Sequence, residues 1–163
     1  MSSTSLRLSL PDADATEHLG TWLSRRLGPG DVLLLSGGIG SGKTHLARAL
    51  IQHQMAQSGV IEDVPSPTFT LLQVYELPEL EIWHADLYRL THPDEVMELG
   101  LDLAFETALC LVEWPDRLAS LTPADALHLD FAPEGEGRSL TLTGSAKWAA
   151  FLTALAGDMA IDD

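Results

Sequence analysis

The feature that most constrains this chain is a glycine-rich segment, "GGIGSGKT", at residues 37–44. It follows the continuously apolar run "DVLLLS" (31–36) and precedes a helix-like segment that extends to about Gln57. An apolar run without alternation is typical of a strand buried on both faces of a parallel sheet. Strand, glycine loop and helix in this order are the context in which the pattern G-x-x-x-x-G-K-[ST] binds phosphate.

The residue types in this loop predict a binding site for a nucleoside triphosphate with Mg²⁺. Glycines let successive backbone N–H groups point inward around an anion, and the helix that follows adds the positive end of its dipole. Lys43 can reach the terminal phosphates, and the Thr44 hydroxyl can bind Mg²⁺. A purely structural glycine turn would not need this lysine, which also stands where the dinucleotide fingerprint G-x-G-x-x-G needs its third glycine. The predicted nucleotide-binding residues of the loop are Gly37, Gly38, Ile39, Gly40, Ser41, Gly42, Lys43, Thr44 and His45.

Strands that alternate with helices along the chain predict an α/β fold. We expect one domain over residues 1–163, a three-layer P-loop NTPase with a mainly parallel central sheet. "ALHLDFA" and "RSLTLTG", separated by "PEGEG", predict a C-terminal β-hairpin, and residues 145–156 a final helix. The last seven residues, "GDMAIDD" (157–163), are expected to form a frayed acidic tail.

The composition narrows the choice of partners. Nine Lys and Arg residues against 24 Asp and Glu give a net charge of −15, and no basic run is present. Because tight nucleic-acid binding requires many neutralised phosphates, we expect no direct nucleic-acid partner. The acidity fits either a basic protein surface as partner or a role in solubility alone.

The chain is expected to work in the cytoplasm and away from membranes. No apolar run reaches the length of a membrane span, and "MSSTSLRLSLPD" has neither the basic nor the apolar region of a secretory signal. The single cysteine, Cys110, rules out an internal disulfide and fits a reducing compartment.

Two carboxylates stand at the ends of predicted strands. Glu113 ends "ALCLVE" and Asp86 ends "EIWHAD". Strand ends of this kind emerge at the carboxyl edge of an open α/β sheet, where ligands bind. Strand alternation places His84 on the same face as Asp86. Either carboxylate could instead be a solvated strand end, and the His-x-Asp pair could be a transition-metal site, for which no third ligand is seen.

The sequence indicates less directly which nucleotide base is bound and which segment responds to the bound nucleotide. GTPases select guanine with an Asn-Lys-x-Asp element, and this chain contains no asparagine, so ATP is the expected nucleotide. The loop "PSPTFT" (65–70), with Thr68, offers hydroxyls that could sense Mg²⁺ or the γ-phosphate. Loops rich in Ser, Thr and Pro are also common connectors.

Five segments carry a family resemblance: "GGIGSGKT", "SPTFTLLQVYE", "WHADLYRL", "ELGLD" and "LVEWPDRL". In their order and rough spacing they resemble the bacterial TsaE family, whose members are small ATPases associated with making threonylcarbamoyladenosine in tRNA. The resemblance covers roughly residues 10–145. It implies a P-loop fold, slow ATP hydrolysis and a partnership with the TsaB–TsaD heterodimer, which carries the modifying active site.

The resemblance also implies roles for single residues. Glu113 matches the family's Mg²⁺-associated glutamate, and Asp86 matches the required aspartate of its "DLYRL" motif. Thr68 falls in the switch-like loop, and Trp114 matches the tryptophan beside the acidic residue. One departure is visible, since Gly38 stands where the family commonly has aspartate ("GDLGAGKT").

Two other classes remain open at this stage. A small-molecule kinase would use the same loop to donate phosphate to an acceptor, although no arginine-bearing lid is apparent. A nucleotide-sensing interaction module would bind ATP without needing turnover. No arginine finger is assignable from spacing, and the candidates are Arg48, Arg89 and Arg117.

Overall fold

The computed structural model describes residues 3–38, 41–59, 64, 72–90, 92 and 94–161, with the backbone alone at 160 and 161. The strands are β1 (Ser3–Leu10), β2 (Val32–Ser36), β3 (Leu72–Glu76), β4 (Glu81–Asp86), β5 (Leu109–Glu113), β6 (Leu127–Glu134) and β7 (Gly137–Ser145). The helices are α1 (Ala13–Arg26), α2 (Lys43–Gln57), α3 (Asp94–Leu99), α4 (Leu101–Thr107) and α5 (Ala149–Ile161). Short 3₁₀ segments cover Pro115–Leu121 and Ala146–Trp148.

All of these strands join one mixed sheet in the order β1-β7-β6-β2-β5-β4-β3. The central strands β6, β2, β5 and β4 run parallel to one another. The pairs β1–β7, β6–β7 and β3–β4 are antiparallel. The predicted hairpin is therefore confirmed, whereas the expectation of a mainly parallel sheet is not, because parallel and antiparallel pairs are equally numerous among the described strands. The hairpin extends the main sheet, and the short β3–β4 connection can join only antiparallel strands.

The sheet is covered on both faces, which gives the three layers expected from the sequence. Leu33 and Leu35 of β2 belong to an apolar cluster with residues of α1, α2 and α5. Val32 and Leu34, which alternate with them, belong to a second cluster with residues of α3 and α4. This alternation explains why β2 is apolar at every position except its last.

The first helix, α1, begins at a residue type that is favoured at helix N-termini. The Asp12 side chain accepts a 2.9 Å hydrogen bond from the backbone N–H of Ala15, as an N-cap residue does. Leu19 and Leu23 are completely buried, and Leu27 follows the helix at 6% exposure. No helix within the described residues has both the length and the apolar character needed to cross a bilayer.

Two elements differ from the sequence prediction. The segment after Gly100 forms α4, a helix that was not predicted from the sequence. The final helix continues to Ile161, so a frayed tail from residue 157 is wrong as far as the helix extends, and 162–163 lie outside the described residues. A tertiary contact explains this extension: Asp158 accepts a 2.7 Å hydrogen bond from Nε1 of Trp22 on α1.

Candidate functional site

The site is built where the parallel strands β2, β4 and β5 end. Asp86 and Glu113 are direct neighbours in the β4–β5 register, so the two predicted carboxylates lie side by side. Both are buried, at 5% and 2% exposure. They are therefore not solvated strand ends, because charged groups are rarely buried without partners.

The first two residues of α2 contact this carboxylate edge. The Thr44 hydroxyl donates a 2.7 Å hydrogen bond to Oε1 of Glu113. Lys43, only 4% exposed, donates a 2.7 Å hydrogen bond from Nζ to the carbonyl oxygen of Gly37. The structure thus brings the loop and the carboxylate of β5 together, as the sequence predicts.

The Lys43 ammonium also lies over an aromatic ring. Nζ is 3.5 Å from the centroid of the Trp114 ring. Trp114 has left-handed backbone angles (φ 59°, ψ 54°), and its backbone N–H donates a 3.2 Å hydrogen bond to the carbonyl oxygen of Leu35 on β2. A tryptophan in this conformation is strained, and such strain is concentrated at functional sites.

Burial and charge act in opposite directions on Lys43. Burial lowers the pKa of its ammonium from the ordinary value, while Glu113, Asp86 and Asp116 raise it by a smaller amount. The neighbouring carboxylates therefore do not fully replace the stabilisation that water would give the positive charge of the ammonium. Phosphate oxygens placed within its reach would supply that charge.

His84 lies beneath the same carboxylate and is completely buried. Its Nε2 is 2.7 Å from Oε2 of Glu113. Its Nδ1 is buried and has no hydrogen-bond partner among the described residues. No group of three metal-binding side chains occurs in that part of the chain, so the transition-metal alternative for His84 and Asp86 gains no support.

The glycines Gly37 and Gly42, on either side of the loop, have backbone angles that other residues rarely adopt. Gly37 has φ +142°, and a Cβ there would lie 2.7 Å from Ser41 Oγ and 2.9 Å from the carbonyl oxygen of Phe131. Gly42, at φ +111°, precedes α2 directly. The Ser41 hydroxyl is buried without a partner in the described part of the chain, which is what a cradle for an oxyanion requires. Ile39 and Gly40 lie outside the described residues.

The remaining predicted residues take different positions. His45 is turned towards α1, with Nε2 3.3 Å from the carbonyl oxygen of Ala13. Arg48 donates a hydrogen bond from Nε to the carbonyl oxygen of Val64 at 2.9 Å, and the side chains of Arg89 and Arg117 are exposed. Thr68 and its loop lie outside the described residues.

Sequence reasoning missed Arg138. Its Nε donates a 3.0 Å hydrogen bond to the carbonyl oxygen of Ser41, and a second nitrogen contacts the carbonyl oxygen of Gly137 at 2.9 Å. Arg138 is the second residue of β7 and lies 97 positions from Ser41 along the chain. No local pattern indicated it, because only the pairing of β7 with β6 brings it to the loop.

Two adjoining cavities lie at the start of α2. One of about 230 Å³ is lined by residues 41–45. A second of about 270 Å³ shares Gly42 and His45 with it and extends to the start of α1, the β6–β7 turn and Arg138. Together they fall within the size range of typical ligand pockets, roughly 300–1,000 Å³.

Comparison with known proteins identifies the family. The sequence model of the family "Threonylcarbamoyl adenosine biosynthesis protein TsaE" matches residues 10–140. This range is most of the chain and includes every residue named above in the site. The chain belongs to the TsaE family. The resemblance seen in the five sequence segments is therefore confirmed.

Individual relatives agree with this assignment. The chain is 34% identical to the tRNA threonylcarbamoyladenosine biosynthesis protein TsaE of Rickettsia felis over 142 residues, covering 86% of this chain and 81% of that protein. It is 36% identical to the TsaE protein of Treponema pallidum over 132 residues, covering 80% and 94%. The crystal structure of YdiB from Bacillus subtilis superimposes with a TM-score of 0.75 at 23% identity, over 100% and 99% of the two chains, which shows a shared fold.

Proposed function

We propose that this TsaE-family chain is a Mg²⁺-dependent ATPase that supports threonylcarbamoyladenosine modification of tRNA by acting on the TsaB–TsaD complex. The observation that carries the proposal is the contact between Thr44, at the start of the phosphate loop helix, and the buried Glu113. In phosphoryl-transfer sites of this type, a loop hydroxyl and a strand-end carboxylate share the metal ion.

The described residues suit a triphosphate with its metal ion. Bound Mg²⁺ supplies positive charge that neutralises the β- and γ-phosphates. Thr44 and Glu113 would hold it, and Asp86 would hold the metal or orient the attacking water. Mg²⁺ commonly takes only one or two carboxylates together with phosphate oxygens, so these few ligands are sufficient.

Lys43 would exchange its present partners for phosphate. The hydrogen bond to Gly37 and the contact with Trp114 hold its ammonium at the loop. An ammonium held there needs little movement to reach phosphate oxygens, and its charge is better compensated by them than by a neutral carbonyl and a ring. Lys43 thereby binds the transferred phosphate and stabilises the charge on it.

The ribose and base of the nucleotide would lie on the side of the loop opposite to the metal ion and the γ-phosphate. We take the β4–β5 side of α2 as the metal and γ-phosphate end, because Asp86 and Glu113 are paired there. The larger of the two cavities lies on the β6–β7 side, against Gly42 and Arg138. An extended nucleotide bound across the start of α2 would therefore place its ribose and base in this cavity. The choice of ATP rests on the missing guanine-specific element.

The location of the base can be tested with inorganic tripolyphosphate, which has no nucleoside. Ala13 is exposed at the rim of the larger cavity. We expect Ala13→Trp to weaken ATP binding in calorimetry by tenfold or more and to leave tripolyphosphate binding unchanged. Gln52→Trp, on an exposed position farther along α2, is the matched control and should change neither. Equal loss of both ligands in Ala13→Trp would contradict this placement.

The charge of the chain supports action on a protein and not on tRNA itself. With a net charge of −15, the chain is suited to a basic protein surface. Of the three arginines considered as fingers, Arg48 is engaged with a backbone carbonyl in the described structure. The partner would then supply positive charge in trans, so the chain without its partner would hydrolyse ATP slowly. The proposed location of this activity is the cytoplasm.

A nucleotide-sensing module is the second candidate. Tyr88, 44% exposed, packs against Trp114 at 4.9 Å between ring centroids, and Trp114 contacts Lys43. These contacts connect the loop to the surface at Tyr88. Nucleotide binding alone could therefore change the surface that is presented to a protein partner. The Glu113→Gln variant separates the two candidates. Loss of tRNA modification, with partner binding retained, would favour turnover.

The decisive experiment is capture of purified TsaB–TsaD by the chain with ATP, ADP or no nucleotide. We expect capture to depend on the nucleotide and to be lost in Lys43→Ala. ATP hydrolysis in the purified complex should fall by at least 100-fold in that variant. Wild-type hydrolysis by Lys43→Ala would contradict the mechanism, and hydrolysis that required an added small-molecule acceptor would favour a kinase.

A further inference from the structure

We propose that His84 is a positioning residue for the magnesium site: it holds the Glu113 carboxylate so that the other oxygen faces Thr44 and the metal ion of the bound nucleotide. The proposal rests on the proposed function, because it concerns the same site. It gives a role to a buried histidine that is not part of the glycine loop and is not one of the two strand-end carboxylates.

The position of His84 follows from the strand register. Ile82, His84 and Asp86 alternate along β4 and face the layer that contains α2, since Ile82 belongs to the apolar cluster on that side. His84 is paired with Leu111 and Asp86 with Glu113. His84 therefore lies one step deeper in the sheet than the carboxylates and below the start of α2.

The contacts divide the Glu113 carboxylate between two donors. Oε2 lies 2.7 Å from His84 Nε2, and Oε1 accepts from the Thr44 hydroxyl at 2.7 Å. Since a carboxylate oxygen can only accept, Nε2 carries the hydrogen in this contact. Two hydrogen bonds at opposite oxygens fix both the direction and the rotation of a side chain that has three rotatable bonds. Hydrogen-bonding partners of this kind orient metal ligands in proteins.

Glu113 needs such a partner more than most carboxylates do. It is 2% exposed and directly beside Asp86, so two negative groups lie together with little solvent. Their repulsion would turn one carboxylate away from the other. His84 opposes that movement from below, on a strand whose position is set by sheet hydrogen bonds and not by the nucleotide.

A role in packing alone explains the ring less well. A histidine retained for its volume would bury two polar nitrogens without need, and leaving such a group unsatisfied costs roughly 1–3 kcal/mol. Here Nδ1 has no partner among the described residues, while Nε2 makes a short contact with a carboxylate. The arrangement accepts one unsatisfied atom and gains one directed hydrogen bond to the site.

The test measures magnesium binding without catalysis. Mg²⁺ is titrated calorimetrically into the complex of the protein with ADP, for the wild type, His84→Gln and His84→Leu. Gln places an amide N–H near the position of Nε2, and Leu has no donor. Ile82→Ala, on the same face of the same strand, is the matched control for lost packing.

We expect His84→Leu to weaken Mg²⁺ binding by about 10–100-fold, the usual effect of removing a hydrogen bond to a metal ligand. His84→Gln should remain within about threefold of the wild type, and ADP affinity without Mg²⁺ should be unchanged in both. Ile82→Ala should lower the melting temperature and leave Mg²⁺ affinity unchanged. If His84→Leu does not fold, His84→Asn, whose shorter amide does not reach Glu113, takes its place in the comparison with His84→Gln.

Two results would overturn the proposal. One is an equal Mg²⁺ affinity in the wild type and in the variant without a donor. The other is an equal loss of ADP affinity with and without Mg²⁺. A wild-type protein that binds ADP but shows no effect of Mg²⁺ would remove both this proposal and the proposed function, whereas normal Mg²⁺ dependence in every variant would remove this one alone.

Discussion

The ammonium nitrogen of Lys43 lies 3.5 Å from the centroid of the Trp114 ring and donates a 2.7 Å hydrogen bond to the carbonyl oxygen of Gly37. Both partners belong to the site itself, one from the turn after β5 and the other from the loop after β2. Under the proposed function, phosphate would replace these contacts with charged ones. The environment of the indole ring would then change when the loop binds the nucleotide.

Tryptophan fluorescence is expected to report this exchange. Addition of Mg·ATP should change the emission of the protein in a saturable way, with the dissociation constant obtained by calorimetry. Trp114→Phe retains an aromatic ring beside Lys43 and should abolish the change, although three other tryptophans remain in the chain. An unaltered signal in Trp114→Phe would show that the emission change comes from elsewhere.

Neighbouring glycines of the loop are expected to differ sharply. Gly37→Ala should destabilise the protein by about 1–3 kcal/mol and weaken ATP binding at least tenfold, because its φ of +142° is unfavourable for alanine. The added Cβ would also meet the carbonyl oxygen of Phe131 at 2.9 Å.

Gly38 provides the comparison for that variant. No described atom lies within 4 Å of a Cβ at this position. Gly38→Asp, which restores the residue common in the family, should leave stability within about 0.5 kcal/mol, as for surface substitutions in general. Urea unfolding and ATP calorimetry measure both variants, and equal effects at the two positions would contradict the geometry of the loop.

The Cys110 thiol is expected to be inert in the folded protein. It is completely buried on β5, and this burial, with a smaller contribution from Glu81, raises its pKa to about 12. Only the thiolate reacts, so roughly one molecule in 10,000 carries a reactive sulfur at pH 8. Maleimide labelling of the native protein should therefore proceed at the rate of unfolding and be rapid in guanidinium chloride.

The same pKa shift predicts a loss of stability at alkaline pH. The thiol has its ordinary pKa of 9.0 in the unfolded chain and a pKa of about 12 in the folded chain. The contribution is fully present below pH 9 and is lost as the pH rises through this interval. Cys110→Ala should flatten this part of the stability profile, which urea unfolding at several pH values can measure.

The end of α5 is expected to contribute to stability. Asp158 accepts a 2.7 Å hydrogen bond from Trp22 Nε1 and lies 3.2 Å from Arg26. Asp158→Ala should lower the free energy of unfolding by about 1 kcal/mol, the usual value of one hydrogen bond. Asp158→Asn retains an acceptor and should lose less, since the exposed ion pair contributes little. Identical stabilities of Asp158→Ala and the wild type would support a tail that does not contribute.

Several features of the fold were predictable because their causes are local. The glycine loop, the apolar run before it and the helix after it are neighbours in sequence, and each follows from backbone freedom or apolar periodicity. The N-cap at Asp12 is local in the same sense. Glu113 and Asp86 were found because each ends an apolar strand, and strand ends in an open α/β sheet meet at one edge.

The errors have equally specific causes. Gly100, with φ +80°, separates α3 from α4, and because a glycine is typical of the end of a helix, α4 was not predicted after it. The tail after residue 157 looked frayed because its aspartates are typical of exposed ends. Its stabilising partner, Trp22, lies 136 positions away in the sequence.

By itself, the sequence determined the glycine loop between β2 and α2, the general alternation of strands and helices, and which carboxylates stand at strand ends, since these depend on residues within a few positions of each other. Only the tertiary structure decided that the sheet is mixed, that His84 contacts Glu113 and that Arg138 meets the loop at Ser41. The physical reason is that strand partners are chosen by the burial of apolar faces over the whole sheet. A residue's distant contacts follow from that choice and leave no trace in its own neighbourhood.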